Sequence, residues 1–115
     1  MGYEFWPEAL EGTIRRASEV AQVPVIVTEN GIAATDDTRR IEYVRRALAG
    51  VARCIKDGID VRGYIYWSML DNYEWNSGYR PTFGLVAVDF KTQERTIRPS
   101  ARWLGEVARA NAIEM

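Results

Sequence analysis

The chain has 115 residues, 47% apolar and 27% charged, a balance that belongs to a folded domain with one modest core rather than to a disordered tail or a fibre. Lys and Arg total 15 and Asp and Glu 16, mixed along the sequence for a net charge of -1, so no electrostatic footprint for nucleic acid or an anionic membrane is present. With no histidine and one cysteine, Cys54, the chain has no intrachain disulfide, no cysteine zinc cluster and no Ser-His or Cys-His pair, and any catalysis runs on carboxylates.

The N-terminus, "MGYEFWPEAL", is acidic and aromatic rather than signal-like, and no apolar run approaches the roughly 20 residues that cross a bilayer. A soluble, cytoplasmic location is the default expectation. Pro7 suits a first helical turn, and Leu10, Ile14, Ala17 and Ala21 recur at spacings of three and four, predicting an amphipathic helix over 7–22 that Pro24 stops. "PVIVT", 24–28, is a continuous apolar and β-branched run, the pattern of a parallel strand covered on both faces, and Asn30-Gly31 ends it.

Asp36 and Asp37 are candidate N-caps for a helix over 38–57, in which Ile41, Val44, Leu48, Val51 and Ile55 form the apolar stripe and Lys56-Asp57-Gly58 the stop. Cys54 reads as a half-buried free thiol on its flank. "VRGYIYWS" predicts a strand over 61–67, with Gly63 where a neighbour approaches closely. A loop over 68–84 follows, then a hairpin over 85–98 around Lys91-Thr92, and a helix over 100–110 opened by Pro99-Ser100, with Leu104, Val107 and Ala108 on its buried face.

Strands alternating with helices imply an α/β fold with parallel pairing through crossovers. Two such strands do not complete a sheet, because their outer edges need partners. In α/β folds functional groups gather at the carboxyl ends of the strands. Glu29 lies there on the first strand, and Trp67 with the loop carrying Asp71, Glu74 and Trp75 lies there on the second. Taken alone, Glu29 reads as a strand-end carboxylate paired with an arginine. The second segment changes the balance: Tyr66, Trp67, Tyr73, Trp75 and Tyr79 crowd around Asp71, Asn72, Glu74 and Asn76, and sugars are held by aromatic planes beside carboxylates and amides. Tyr64 and Tyr66 read better as core.

"VIVTENG" followed by "YIYWSMLDNYEWNSGYRPTFGLVAVDF" resembles the C-terminal part of the family 1 glycoside hydrolases, the β-glucosidase and β-galactosidase family, as do "FWPEAL" and "TIRPSARW" at either end. The resemblance implies the last two βα units of a (β/α)8 TIM barrel, incomplete as a single chain. It implies retaining hydrolysis of a β-glycoside by two glutamates, with Glu29 as nucleophile, Trp67 as the platform beneath the sugar, and Glu74 and Trp75 binding glycone hydroxyls. Trp67 and Ser68 are then joined by a cis peptide, which an incomplete barrel leaves free to relax to trans. No metal or cofactor is implied.

Thr82 stands where the family usually has a basic residue, which reshapes the rim, and retention of Glu74 points to unphosphorylated sugars. The family's acid/base glutamate, in an Asn-Glu-Pro motif, has no counterpart here, nor do its Gln and His glycone ligands. The expectation is therefore a fragment that binds a β-glycoside or monosaccharide and is inactive without the remaining barrel. Two other readings stand beside it: a non-catalytic, self-associating scaffold or carbohydrate-binding unit, and a barrel completed by a second polypeptide that supplies the missing units.

Overall fold

In the computed structural model, which describes residues 2–113, the elements run α1 (Ala9–Ala21), β1 (Val25–Asn30), α2 (Asp37–Lys56), β2 (Val61–Tyr66), a 3-10 turn (Trp75–Ser77), β3 (Val86–Val88), β4 (Arg95–Ile97) and α3 (Pro99–Ala110). Pro7 and Glu8 form a turn ahead of α1 rather than its first residues. Gln22 ends that helix in the left-handed region, φ 53°, donating its N–H to the Ser18 carbonyl at 2.9 Å. Asp36 is the true cap of α2, accepting from the Thr38 N–H at 2.9 Å and the Thr38 hydroxyl at 2.7 Å. Asp37 already lies inside the helix, which frees its carboxylate for another use.

β1 and β2 pair in parallel, with Val25 opposite Val61, Val27 opposite Tyr64 and Asn30 opposite Tyr66, and α2 is the crossover that joins them. β3 and β4 form a separate antiparallel pair, and Leu70 bridges to Val86, tying the loop after β2 to that ribbon. β1 extends beyond the expected 24–28, so Glu29 and Asn30 belong to the strand, whereas β2 stops at Tyr66, one residue short of Trp67.

Val27 packs with Ile14, Val51 and Cys54 in the buried core, flanked by Leu10, Val25, Ile59, Val61 and Tyr64. The opposite face of the two-stranded sheet is bare: Ile26 is 56% exposed and Ile65 57%. This corrects the expectation of strands covered on both faces, because α1 and α2 both lie on the Val27 side and no element of the described chain crosses the other. Cys54 is fully buried in the core rather than half-buried, with its Sγ 3.9 Å from the Glu11 carbonyl, and burial pushes its thiol pKa up. A reactive role for it has no support.

The two helices are joined by ion pairs along their shared seam. Glu11 accepts from Arg15 at 2.7 Å and from Arg53 at 2.6 Å, Glu8 pairs with Arg46 at 2.6 Å, and Arg15 also reaches Asp57 at 2.7 Å. The backbones approach closely at Gly50, where an added Cβ would stand 2.9 Å from the Glu11 Cβ. Gly50→Ala gains helix propensity but forces the helices apart, and a net loss of about 1 kcal/mol is expected. It reads out as a lowered urea midpoint at unchanged slope.

Candidate active site

Parallel pairing delivers the carboxyl ends of β1 and β2 to one edge. The Trp67 N–H donates to the Asn30 carbonyl at 2.9 Å, locking the residue after Glu29 to the residue that begins the long loop. The Asn30 side chain turns toward the helices, where its Oδ1 accepts from the Tyr64 hydroxyl at 2.9 Å. Strict alternation from the buried Val27 would send Glu29 to the helix side as well. An irregular register between Val27 and Asn30 leaves both Thr28 and Glu29 exposed. Glu29 makes no ion pair among the described residues, so the arginine partner that would give it a purely structural role is not there.

Gly31, next in the chain, has a structural reason beyond its turn propensity. A Cβ there would lie 1.8 Å from the Trp67 carbonyl oxygen, so only glycine lets the chain leave β1 this close to β2. The Trp67–Ser68 peptide is cis. Trp67 is 39% exposed, and its indole N–H donates to Glu74 Oε1 at 3.3 Å while Glu74 is otherwise buried, at 8% exposed. An aromatic face thus sits beside a carboxylate that retains acceptor capacity, the pairing that binds a sugar hydroxyl over a ring face.

The short turn after Glu74 closes on itself: the Glu74 N–H donates to the Gly78 carbonyl at 2.8 Å and the Ser77 N–H to the Glu74 carbonyl at 2.9 Å. Trp75 within it is 82% exposed and held at φ 46°, a conformation that bulky residues rarely adopt. Glu74 and Trp67 are in direct contact, Glu29 shares their edge, and Trp75 stands out from it toward solvent. Tyr73, Tyr79 and Phe90 stack in succession at ring centroid distances of 5.2 Å and 4.3 Å, a surface cluster that ties the loop to the β3–β4 turn.

Two polar residues of this region turn out to be scaffold. Asp71, grouped by sequence with the sugar-facing residues, is buried at 6% and clasps Arg98 through both carboxylate oxygens, at 2.9 and 2.7 Å, while also accepting the Gly84 N–H at 2.8 Å. Burial pushes its pKa up, but the Arg98 and Gly84 hydrogen bonds outweigh it and hold the carboxyl below its usual range. Tyr66 points to the helix side and donates to the Phe83 carbonyl at 2.7 Å; burial pushes its pKa up to about 12, so it remains a donor. Tyr64 is likewise raised by burial, and both tyrosines serve the interior.

Arg40 is fully buried at the start of α2 and carries hydrogen bonds to two loops, yet the apolar stripe of that helix gives no hint of it. One signal was available: a basic pair, Arg39-Arg40, in the first turn of a helix, where the macrodipole disfavours positive charge. Among the described residues no group of three or more Cys, Asp or Glu side chains is arranged to hold a metal, and no helix is long and apolar enough to cross a membrane.

Residues 1–113 match the profile of the family described as Glycosyl hydrolase family 1. The chain is 42% identical over 112 residues to a beta-galactosidase of Sulfolobus acidocaldarius, covering 97% of this chain and 23% of that protein. It is 36% identical to beta-glucosidase A of Thermotoga maritima, covering 99% of this chain and 28% of that one. Among solved structures, beta-glycosidase BGL167 superposes with a TM-score of 0.94 at 60% identity, over 100% of this chain and 28% of its own. The Thermotoga maritima beta-glucosidase in complex with glucoimidazole does so at 0.94 and 35% identity, over 98% and 28%. The chain spans about a quarter of the length of these relatives.

Two substitutions test the geometry. Gly31→Ala is expected to displace Trp67 from Asn30 and destabilise the fold by at least about 3 kcal/mol, since both clashing groups are backbone; the loss is read from the denaturant midpoint. Asp71 has a folded pKa below its unfolded value near 3.8, so its contribution is complete above that value and disappears as pH falls through the lowered one. Asp71→Asn is expected to cost about 2 kcal/mol at pH 7 and to flatten the acid limb of a stability-versus-pH curve below about pH 4.

Proposed function

The chain belongs to glycosyl hydrolase family 1, and from that premise we propose that it supplies the nucleophile, Glu29, and the glycone-binding residues Trp67, Glu74 and Trp75 of a retaining β-glycosidase. In this reading it forms the last two βα units of a TIM barrel. The observation that carries the proposal is the shared edge: an unpaired, exposed Glu29 one residue before the Asn30–Trp67 backbone link, with Trp67 bonded to Glu74.

Retaining hydrolysis takes two carboxyl groups about 5–5.5 Å apart, one attacking the anomeric carbon and one protonating the leaving oxygen. Glu29 serves as the first. Glu74, bonded to the Trp67 indole, is suited to accepting glycone hydroxyls rather than to donating a proton, so the acid comes from outside this chain. The Trp67 face stacks under the sugar, and Trp75 reaches a hydroxyl at its far side. Relatives named beta-galactosidase, beta-D-glucosidase/beta-D-fucosidase and beta-glucosidase support a β-glycoside substrate in this reading, and the retained Glu74 favours an unphosphorylated one. Carboxylate chemistry of this kind uses no metal or cofactor.

The bare sheet face with Ile26 and Ile65 suits the interior of a completed barrel, and a second chain carrying the remaining units is its occupant in this reading. The same face and the two open strand edges support the second reading, a self-associating unit without catalysis.

The chain is assayed with an aryl β-glucoside alone and together with a family 1 chain truncated before the matching segment. The expected result is no turnover alone, turnover in the mixture, and a loss of about 10³-fold or more with Glu29→Gln in this chain. Turnover by the isolated chain, abolished by Glu29→Gln, overturns the claim of inactivity. A mixed complex in which Glu29→Gln has no effect overturns the nucleophile. A homo-oligomer in sedimentation that excludes the second chain favours the scaffold reading.

A further inference from the structure

We infer that Arg40, remote from the sugar-facing groups, is a positioning residue that sets the geometry of Glu29 against Trp67 and Glu74. The inference rests on the nucleophile reading above and adds to it a residue that touches no substrate.

Arg40 lies in the first turn of α2 and is 0% exposed. Its guanidinium Nη1 donates to Asp37, and Nη2 donates to two backbone carbonyls, Ala34 at 2.7 Å and Thr82 at 2.6 Å. Those carbonyls belong to the segment that leaves β1 just after Glu29 and to the segment that closes the long loop. The two segments are stitched directly as well: the Ala34 N–H donates to the Thr82 carbonyl at 3.2 Å, and the Thr82 hydroxyl donates to the Ala34 carbonyl at 3.0 Å.

Each stitched segment leads in a few bonds to a sugar-facing group. On one side Ala34 is three residues past Gly31, where the chain is pressed against the Trp67 carbonyl. On the other, Phe83 follows Thr82 and its carbonyl accepts from Tyr66 at 2.7 Å, while Leu85 donates its N–H to the Ser68 carbonyl at 2.9 Å. Tyr66 and Ser68 bracket Trp67. Arg40, through its Nη2, is therefore the one side chain among the described residues that donates to a carbonyl of each loop bordering the site, while its Nη1 holds the guanidinium plane against Asp37.

A stability role alone explains this arrangement poorly. Burying a guanidinium is costly, and an apolar side chain of similar volume often serves stability as well or better. Among the described residues the Nε has no hydrogen-bond partner, so the group is not fully satisfied. What two N–H groups on one Nη2, held in a guanidinium plane that Asp37 fixes, provide and an apolar chain does not is a set position for two carbonyls. The other half of the ion pair extends the joint: the Asp37 carboxylate accepts the Ser100 N–H at 2.7 Å and the Ser100 hydroxyl at 2.8 Å, anchoring the start of α3 to the same point.

The test uses this chain in complex with the truncated family 1 chain, trapped with 2-deoxy-2-fluoro-β-glucosyl fluoride, whose leaving group lightens the demand for an acid. Intact mass gives the labelled fraction and the rate constant per labelled site, and peptide mapping establishes whether the label is on Glu29. Arg40→Met is expected to lower that rate constant about 10–100-fold, as a misplacement near 1 Å does, with the final labelled fraction within about twofold of the parent. Arg40→Lys, which keeps charge but not the fork, is expected to recover part of the loss.

A purely structural Arg40 predicts the reverse pattern, a smaller labelled fraction at an unchanged rate constant, and that result overturns the inference. If Arg40→Met forms no complex, Arg40→Lys decides: a parental rate constant overturns the inference and a reduced one supports it. A parent complex that is never labelled at Glu29 overturns the nucleophile reading and this inference with it, which separates that failure from failure of the positioning role alone.

Discussion

Parallel pairing of β1 with β2 is the constraint on which the remainder of this chain depends. Parallel strands cannot be joined by a tight turn, so the chain spends α2 on a crossover, and the crossover buries the Val27 face of the sheet. The same direction of travel brings the ends of both strands to one edge. Glu29 and Trp67 become neighbours through a single backbone hydrogen bond between Asn30 and Trp67, although 38 positions separate Glu29 from Trp67 in the numbering. The close approach at Gly31 is a consequence of the same pairing.

The apolar core is small for a chain of this length, and polar joints carry the loops around it. Glu11 with Arg15 and Arg53 fixes the helix pair, Asp71 with Arg98 and Gly84 fixes the long loop to the start of α3, and Asp37 with Arg40 and Ser100 gathers three segments at one point. Where such groups are buried, as at Asp71 and Arg40, they are poor stabilisers but good rulers, because their hydrogen bonds have direction. The bare Ile26 and Ile65 face is the counterpart of this economy, and the exposed Glu29 lies at the end of the strand that carries it. A carboxylate placed there becomes enclosed only when other strands complete the sheet.

Elements with a strong period were legible without coordinates. The α2 stripe and the apolar β-branched run of β1 follow from local propensity, and the TENG and WSMLDNYEW segments carried enough chemistry to mark the edge where the two strands end. Boundaries were less legible. β1 runs two residues past the expected 28 because pairing with β2, not propensity, decides where a strand ends. Asp71 and Glu74 are three apart in one loop and look alike as letters, yet one meets Arg98 in the interior and the other the Trp67 indole at the edge. Nothing local distinguishes them, since the partners come from α3's threshold and from the end of β2.

By itself, the sequence determined the α/β class, the order of its elements, and membership of a glycosidase family of whose members it spans about a quarter of the length. These follow from composition, period and motif, all of which are written along the chain. Tertiary structure alone decided that one face of the sheet stays bare, that Cys54 is interior, that Gly31 is demanded by the Trp67 carbonyl, and that Arg40 joins the two loops bordering the site. Each of these depends on which groups meet across long separations, and that is settled by packing and directional hydrogen bonds rather than by any local preference.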